Sequence, residues 1–185
     1  AFVSGSFSQK GLGITLSAKS IDNMGFRSDR NESLNTLMIN YLPALTKQHT
    51  YNLAATLYPY ATQPRGEVGV QADVLYKIKN GSKLGGKYGT TIAINYSRAN
   101  SLDTTQYYDY RLNNEVNPND SMRIGYKTNF FGVGDEVYFE DFNVEIYRKF
   151  NKAFKLKAMY LYILYNSNII NPGNANKFNQ NFHGT

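Results

Sequence analysis

Residues 67–78, EVGVQADVLYKI, alternate between apolar and polar side chains with a period of two. Val68, Val70, Ala72, Val74, Tyr76 and Ile78 fall on one side of an extended chain. Glu67, Gly69, Gln71, Asp73 and Lys77 fall on the other, with Leu75 out of step. A strand sends successive side chains to opposite faces, so the pattern predicts a strand with one greasy face and one wet face. The period recurs in LGITLSAK (12–19), HTYNLAATLY (49–58), GKYGTTIAINYS (86–97) and FNVEIYRKF (142–150). It returns from Phe154 to Ala158, then gives way to MYLYILY, apolar on both faces; the chain also opens on a strand-like AFVSGSF.

Connections between these runs alternate in length. Short ones fall at 8–10, 42–48, 79–85 and 150–153; longer ones fall at 20–33, 59–66, 98–135 and from 166 onward. Asn80-Gly81 suits a tight hairpin because both residues tolerate positive φ. The prolines at 43, 59, 64, 118 and 172 all sit in connections, where no ladder hydrogen bond is lost. An antiparallel meander of about eight strands follows.

The remaining question is what the greasy face touches. Mean hydropathy is −0.48, and no apolar run approaches the roughly 20 residues that a transmembrane helix needs. Membrane strands escape that test because they alternate. Short turns at one end and long loops at the other is the asymmetry of outer-membrane barrels. From Tyr88 to Tyr96 is eight steps of about 3.3 Å, which at a tilt of ~40° span roughly 20 Å, with tyrosines at both ends as aromatic girdles. The polar faces are small (Gly, Ala, Ser, Thr and Asn, with isolated charges), which suits a crowded or wet lumen better than a solvated exterior. A soluble lipocalin-like barrel, apolar inside, is the competing reading.

The expected fold is therefore all-β: an antiparallel up-and-down transmembrane β-barrel, or part of one. It occupies residues 1–170, with long extracellular loops near 20–33 and 98–135 and a loop or incomplete strand at 171–185. Val68, Val70, Val74, Ile92, Ile94, Val144 and Ile146 are expected to face lipid. Glu67, Asp73, Lys77, Glu145, Lys149, Lys155 and Lys157 are expected to face the lumen, either lining a channel or closing it as a salt-bridge ladder. An open sheet in lipid would strand unpaired backbone groups, so the strands either close or belong to a larger barrel.

GFRSDR (25–30), residues 39–77 from INYLPALTKQ to VLYK, GGKYGTTIAINYS (85–97) and FFGVGDEVYFEDFNVEI (130–146) together resemble an uncharacterised family of outer-membrane β-barrel proteins from Bacteroidota. The resemblance covers about two thirds of the chain. It implies a barrel in the outer membrane of a Gram-negative bacterium and a whole protein longer than this chain. It carries no activity and no catalytic residues.

Nothing in the sequence reads as a catalytic, metal or cofactor site. His49 and His183 lack metal-ligand spacing. Asp135, Glu136, Glu140 and Asp141 crowd DEVYFED, but a strand would split them between faces, so a charged rim is expected rather than calcium. Arg27, Arg30, Arg98, Arg111 and Arg123 lie on the long-loop side, where they can meet lipopolysaccharide phosphates. Asp103-Thr104-Thr105 and Asp120-Ser121-Met122 match a short O-glycan acceptor pattern, and Gly132-Val133-Gly134 reads as a flexible loop base. The net charge of +6 is scattered and no nucleic-acid motif accompanies it. The expected role is structural or solute-passing and non-enzymatic. The alternative is a subunit or client of another outer-membrane barrel or of assembly or secretion machinery, bound through open edge strands.

Overall fold

The computed structural model describes residues 1–24, 26–29, 37, 39, 44–47, 59–63, 66–108 and 124–170. They form one antiparallel sheet of six strands in sequence order: β1 (Phe2–Gln9), β2 (Leu12–Asp22), β3 (Gly66–Ile78), β4 (Thr90–Tyr108), β5 (Ile124–Lys149) and β6 (Lys155–Tyr165). One helical turn, α1 (Ser167–Ile170), follows. The all-β, up-and-down expectation stands. Among the described residues the sheet does not close: β1 and β6 each keep one edge without a strand partner.

Two expectations about connectivity need correction. β3 pairs with β2 along one edge and with β4 along the other, so the neighbour of β3 is β2 and not the run at 49–58. The whole of that run lies outside the described residues, as do 42–43 and 48 of the short connection expected at 42–48. The 98–135 segment is largely strand rather than loop, because β4 runs on to Tyr108 and β5 begins at Ile124. Only 109–123 between them lies outside the described residues.

The extension of this hairpin is irregular. From Ala99 to Thr104, five steps of β4 oppose eleven of β5, Phe139 to Thr128. Extra residues on one strand bend it and raise its twist. Gly132 and Gly134 sit in this bulged stretch of β5 and are no flexible loop base. A Cβ on Gly134 would fall 2.3 Å from Ser101 Oγ and 2.6 Å from the Leu102 carbonyl. Beyond the bulges, Thr128 donates to Asp22 of β2 at 2.6 Å. In a flat sheet β2 and β5 lie about 14 Å apart, so the sheet curls at this end.

The turns at the opposite end are short. β1 and β2 join through Lys10 and Gly11 (φ 84°), whose carbonyl accepts from the Lys77 amide at 2.7 Å. Asn80-Gly81 does not close a two-residue hairpin: β4 resumes only at Thr90. Gly81, Gly86 and Gly89 all adopt positive φ there, as a wide turn folding on itself requires. The β5–β6 turn is held by Asn151, whose Oδ1 accepts from the amides of Ala153 (2.8 Å) and Phe154 (2.6 Å).

Candidate functional site

Register places the two faces of the sheet. One carries Thr15, Ser17 and Lys19 of β2; Glu67, Gln71 and Asp73 of β3; Asn95 and Ser97 of β4; and Asp141, Asn143 and Glu145 of β5. Lys19, Glu67, Asn95, Ser97, Asp141 and Asn143 are all buried, four of them with Glu67 among the largest fully enclosed side chains. The other face carries Val3, Phe7, Leu16, Val70, Tyr76, Ile94, Ile146, Leu156 and Tyr160, and each of these is exposed. The usual polarity of a soluble sheet is inverted: polar side chains are enclosed and apolar ones are left outside.

Enclosed polar groups need partners, and they find them across strands. Asn95 stands opposite both Asp73 and Asn143. Its amide donates to Asp73 Oδ1 at 2.8 Å, and its Oδ1 accepts from Ser97 at 3.2 Å and from Asn143 at 3.1 Å. Asn143 also donates to Asp141 at 3.2 Å, and Gln71 donates to the other oxygen of Asp73 at 3.0 Å. Lys47, from the connection between β2 and β3, donates to Asn143 Oδ1 at 3.0 Å and pairs with Glu145 at 3.5 Å. Glu145 in turn meets Lys157 of β6 at 3.2 Å. One ladder of side chains thus crosses β3, β4, β5 and β6.

A second cluster lies toward the long-connection end. Lys19 Nζ pairs with Glu67 Oε1 at 2.8 Å and donates to Thr62 at 2.6 Å. Glu67 Oε2 accepts from the Tyr60 hydroxyl at 2.5 Å and from the Gln63 amide at 2.8 Å. Burial first, then the Glu67 carboxylate, pushes the Tyr60 phenol far above its ordinary range, so it stays a donor. Its ring stacks on Phe139 at 4.9 Å, over an apolar patch of Ala99, Phe139 and Ile163. Residues 44–47 and 59–63 therefore supply side chains that cover the polar face.

Of the residues expected to face a lumen, Glu67, Asp73 and Glu145 join these networks. Lys77, Lys149, Lys155 and Lys157 share the face at the short-turn end, where Lys77, Lys155 and Lys157 are exposed and Lys157 joins the ladder through Glu145. Of those expected to face lipid, Val70, Ile94 and Ile146 are exposed and Val74, Ile92 and Val144 half-buried. Val68 differs: it shares the apolar face, in the row of Ser20 and Asn100, but all three are buried. Tyr96 does not end its strand. It lies mid-strand in a cross-strand row with Phe142 and Tyr162.

The carboxylates of DEVYFED are split as strand geometry requires. Asp141 is enclosed, Glu140 meets Arg98 on the apolar face at 3.8 Å, and Asp135 and Glu136 are exposed. Among the described residues no three acidic or histidine side chains gather as a metal site. Arg98 belongs to β4 rather than a loop, as does Asp103-Thr104-Thr105; Arg30, Arg111, Arg123, Asp120-Ser121-Met122 and both histidines lie outside the described residues. Sequence reasoning passed over Lys47, Tyr60, Thr62 and Gln63. Lys47 and Thr62 meet partners 96 and 43 residues away, and Tyr60 and Gln63 reach Glu67 from a connection that carries no periodic pattern.

These features define a protein whose sheet encloses a hydrogen-bonded polar face and turns its apolar face outward. The chain belongs to a family of unknown function (DUF6029), whose model matches residues 1–183. No curated protein and no solved structure matches it.

Proposed function

We propose that this chain forms the wall of an outer-membrane β-barrel of a Gram-negative bacterium, in a structural, non-enzymatic role. The observation that carries the reading is the inversion of the sheet. Enclosing Asn95, Asn143, Asp141 and Glu67 while exposing Ile94, Ile146 and Leu16 is unfavourable in water and favourable in lipid. Between Tyr88 and the Tyr96–Phe142–Tyr162 row lie two apolar rows, Ile14–Val74–Ile94–Val144–Tyr160 and Leu12–Tyr76–Ile92–Ile146–Ala158. An aromatic row at one margin of an apolar band and Tyr88 at the other suit the two interfaces of a bilayer. Lys47, Tyr60 and Thr62 occupy the polar face, which favours a filled interior over a solute pathway. The resemblance to Bacteroidota outer-membrane barrels agrees with this reading.

The edges of β1 and β6, without a strand partner among the described residues, support a second reading, in which another chain completes the wall. An open edge in lipid costs several kcal/mol for each stranded backbone group. A neighbouring barrel, or an assembly or secretion complex, is the class of partner that supplies strands.

The test is purification of the full-length protein in detergent, followed by unboiled and boiled gels. A heat-modifiable single band supports the autonomous barrel. A stable complex cross-linked through Phe2 or Tyr162 supports the second reading. A protein that stays monodisperse without detergent defeats both.

A further inference from the structure

We infer that the short-turn end of the sheet is a collar for the phosphate headgroups of anionic phospholipid. The inference rests on the membrane reading above and adds to it a lipid class and a side. In an up-and-down sheet the β1–β2, β3–β4 and β5–β6 turns lie together at one end. Residues 8–12, 77–90 and 147–157 hold Lys10, Lys77, Lys79, Lys83, Lys87, Arg148, Lys149, Lys152, Lys155 and Lys157. That is half of the chain's 20 Lys and Arg and none of its 14 Asp and Glu, so the rest of the chain is net negative.

A solvated surface ordinarily intersperses the two signs. Lys149 and Lys155, direct cross-strand partners on the polar face, add a like-charge pair at the rim, and the cations that can reach lipid are Arg148 of the apolar face and those of the turns, Lys10, Lys79, Lys83, Lys87 and Lys152. Glu145 reaches only Lys157 from this group, from deeper in the sheet.

The cations are organised over rings at the margin of the apolar band. Lys149 and Lys87 stand 4.9 Å and 5.8 Å from the centroid of Tyr88, and the Arg148 guanidinium 4.9 Å from that of Phe150. Phe150 packs on Phe154 at 5.5 Å, and both are exposed, as are Leu84 and Leu156. Gly86 admits the guanidinium, because a Cβ there would fall 3.2 Å from Arg148 Nη2. Aromatic rings at headgroup depth, with cationic heads directed outward from apolar stems, match a bilayer surface bearing phosphate. Arg148 adds a planar donor pair suited to phosphate oxygens. In an outer-membrane barrel the short turns face the periplasm, which places the collar in the phospholipid leaflet.

The test uses native mass spectrometry of the full chain, folded in neutral detergent and offered equal phosphatidylglycerol and phosphatidylcholine. The variant combines Lys79→Gln, Lys83→Gln, Lys87→Gln and Lys152→Gln, none of which contributes to the enclosed networks. The wild type is expected to retain phosphatidylglycerol preferentially. Each basic residue at a membrane surface is worth about fivefold, so the variant is expected to lower that preference roughly tenfold or more while keeping its heat-modifiable fold. Equal retention of the two lipids by a heat-modifiable wild type overturns the collar and spares the barrel. Competition by inorganic phosphate at concentrations equal to the lipid overturns it in favour of a free-phosphate site. A wild type that does not fold in detergent or bilayer overturns the collar together with the reading on which it rests.

Discussion

Lys19 and Glu67 form a 2.8 Å ion pair although neither stands opposite the other: Lys19 faces Gly69, and Glu67 faces Ile21. The lysine reaches its partner by lying over the bare backbone of Gly69, where a Cβ would come within 3.0 Å of Lys19 Cε. Glycine at 69 is thus part of the ion pair. Lys19→Met is expected to cost about 3–5 kcal/mol, because it leaves an enclosed carboxylate without its cation. Gly69→Val is expected to cost about 1–3 kcal/mol by pushing the lysine aside, and much less once Lys19 is already Met. Urea unfolding of the four members of this cycle checks the coupling; full additivity would mean that Gly69 acts independently of Lys19.

Tyr60 ties the segment 59–63 to the same carboxylate. Tyr60→Phe keeps the stack on Phe139 and removes only the hydroxyl, so it isolates the hydrogen bond to Glu67. A bond to a charged group is worth about 1.5–3 kcal/mol. Hydrogen exchange at the Gln63 amide, which donates to the same oxygen, is expected to accelerate accordingly.

Asn95 is the hub of the other network, donating to a carboxylate and accepting from two neighbours. Asn95→Ala leaves an oxygen of half-buried Asp73 and a donor of enclosed Asn143 unmet, at about 1–3 kcal/mol. Asn95→Asp preserves shape but sets a second carboxylate against Asp73. It is expected to be the more damaging of the two at neutral pH, so a thermal melt that ranks Asp above Ala would refute the assigned donor direction.

The period-two alternation is enough to place β2, β3, the first half of β4 and the last part of β5, because each of these strands divides cleanly between polar and apolar faces. It fails for SLDTTQYY in β4 and for the first half of β5, where the hairpin runs beyond the other strands and bulges break the parity. Gly132 and Gly134 look like loop residues for the same reason: a glycine that permits close strand approach has the same letter as one that permits a turn. Asn95 and Asn143 can be assigned to the polar face from the period alone, but their pairing depends on register between strands some fifty residues apart. Lys47 and Tyr60 leave no periodic trace, since a side chain that covers a sheet need not belong to one.

The bulge itself can be tested at Gly134. Its missing Cβ would collide with Ser101 Oγ and with backbone atoms of Leu102, and backbone cannot swing aside as a side chain can. Gly134→Ala is expected to cost about 1–3 kcal/mol and to loosen the hairpin extension locally. Hydrogen exchange should rise at 100–105 and 127–137 while 90–98 and 139–149 stay protected. Uniform loosening of the whole sheet would instead indicate that the bulge is integral to the fold rather than to its extension.

Ile94 separates lipid from water most sharply. It is 38% exposed on the outward face, in the row between Val74 and Val144. A lysine substituted at so accessible a position in a soluble protein changes stability by no more than about 0.5 kcal/mol. At the midplane of a bilayer the same change costs about 2–4 kcal/mol. Ile94→Lys is therefore expected to fold poorly into vesicles, whereas Leu75→Lys, on the polar face and 53% exposed, is expected to be tolerated. Unfolding titrations of both variants in vesicles measure the difference. Equal tolerance at the two positions would place the apolar face in water or against protein, and the membrane reading would fall with it.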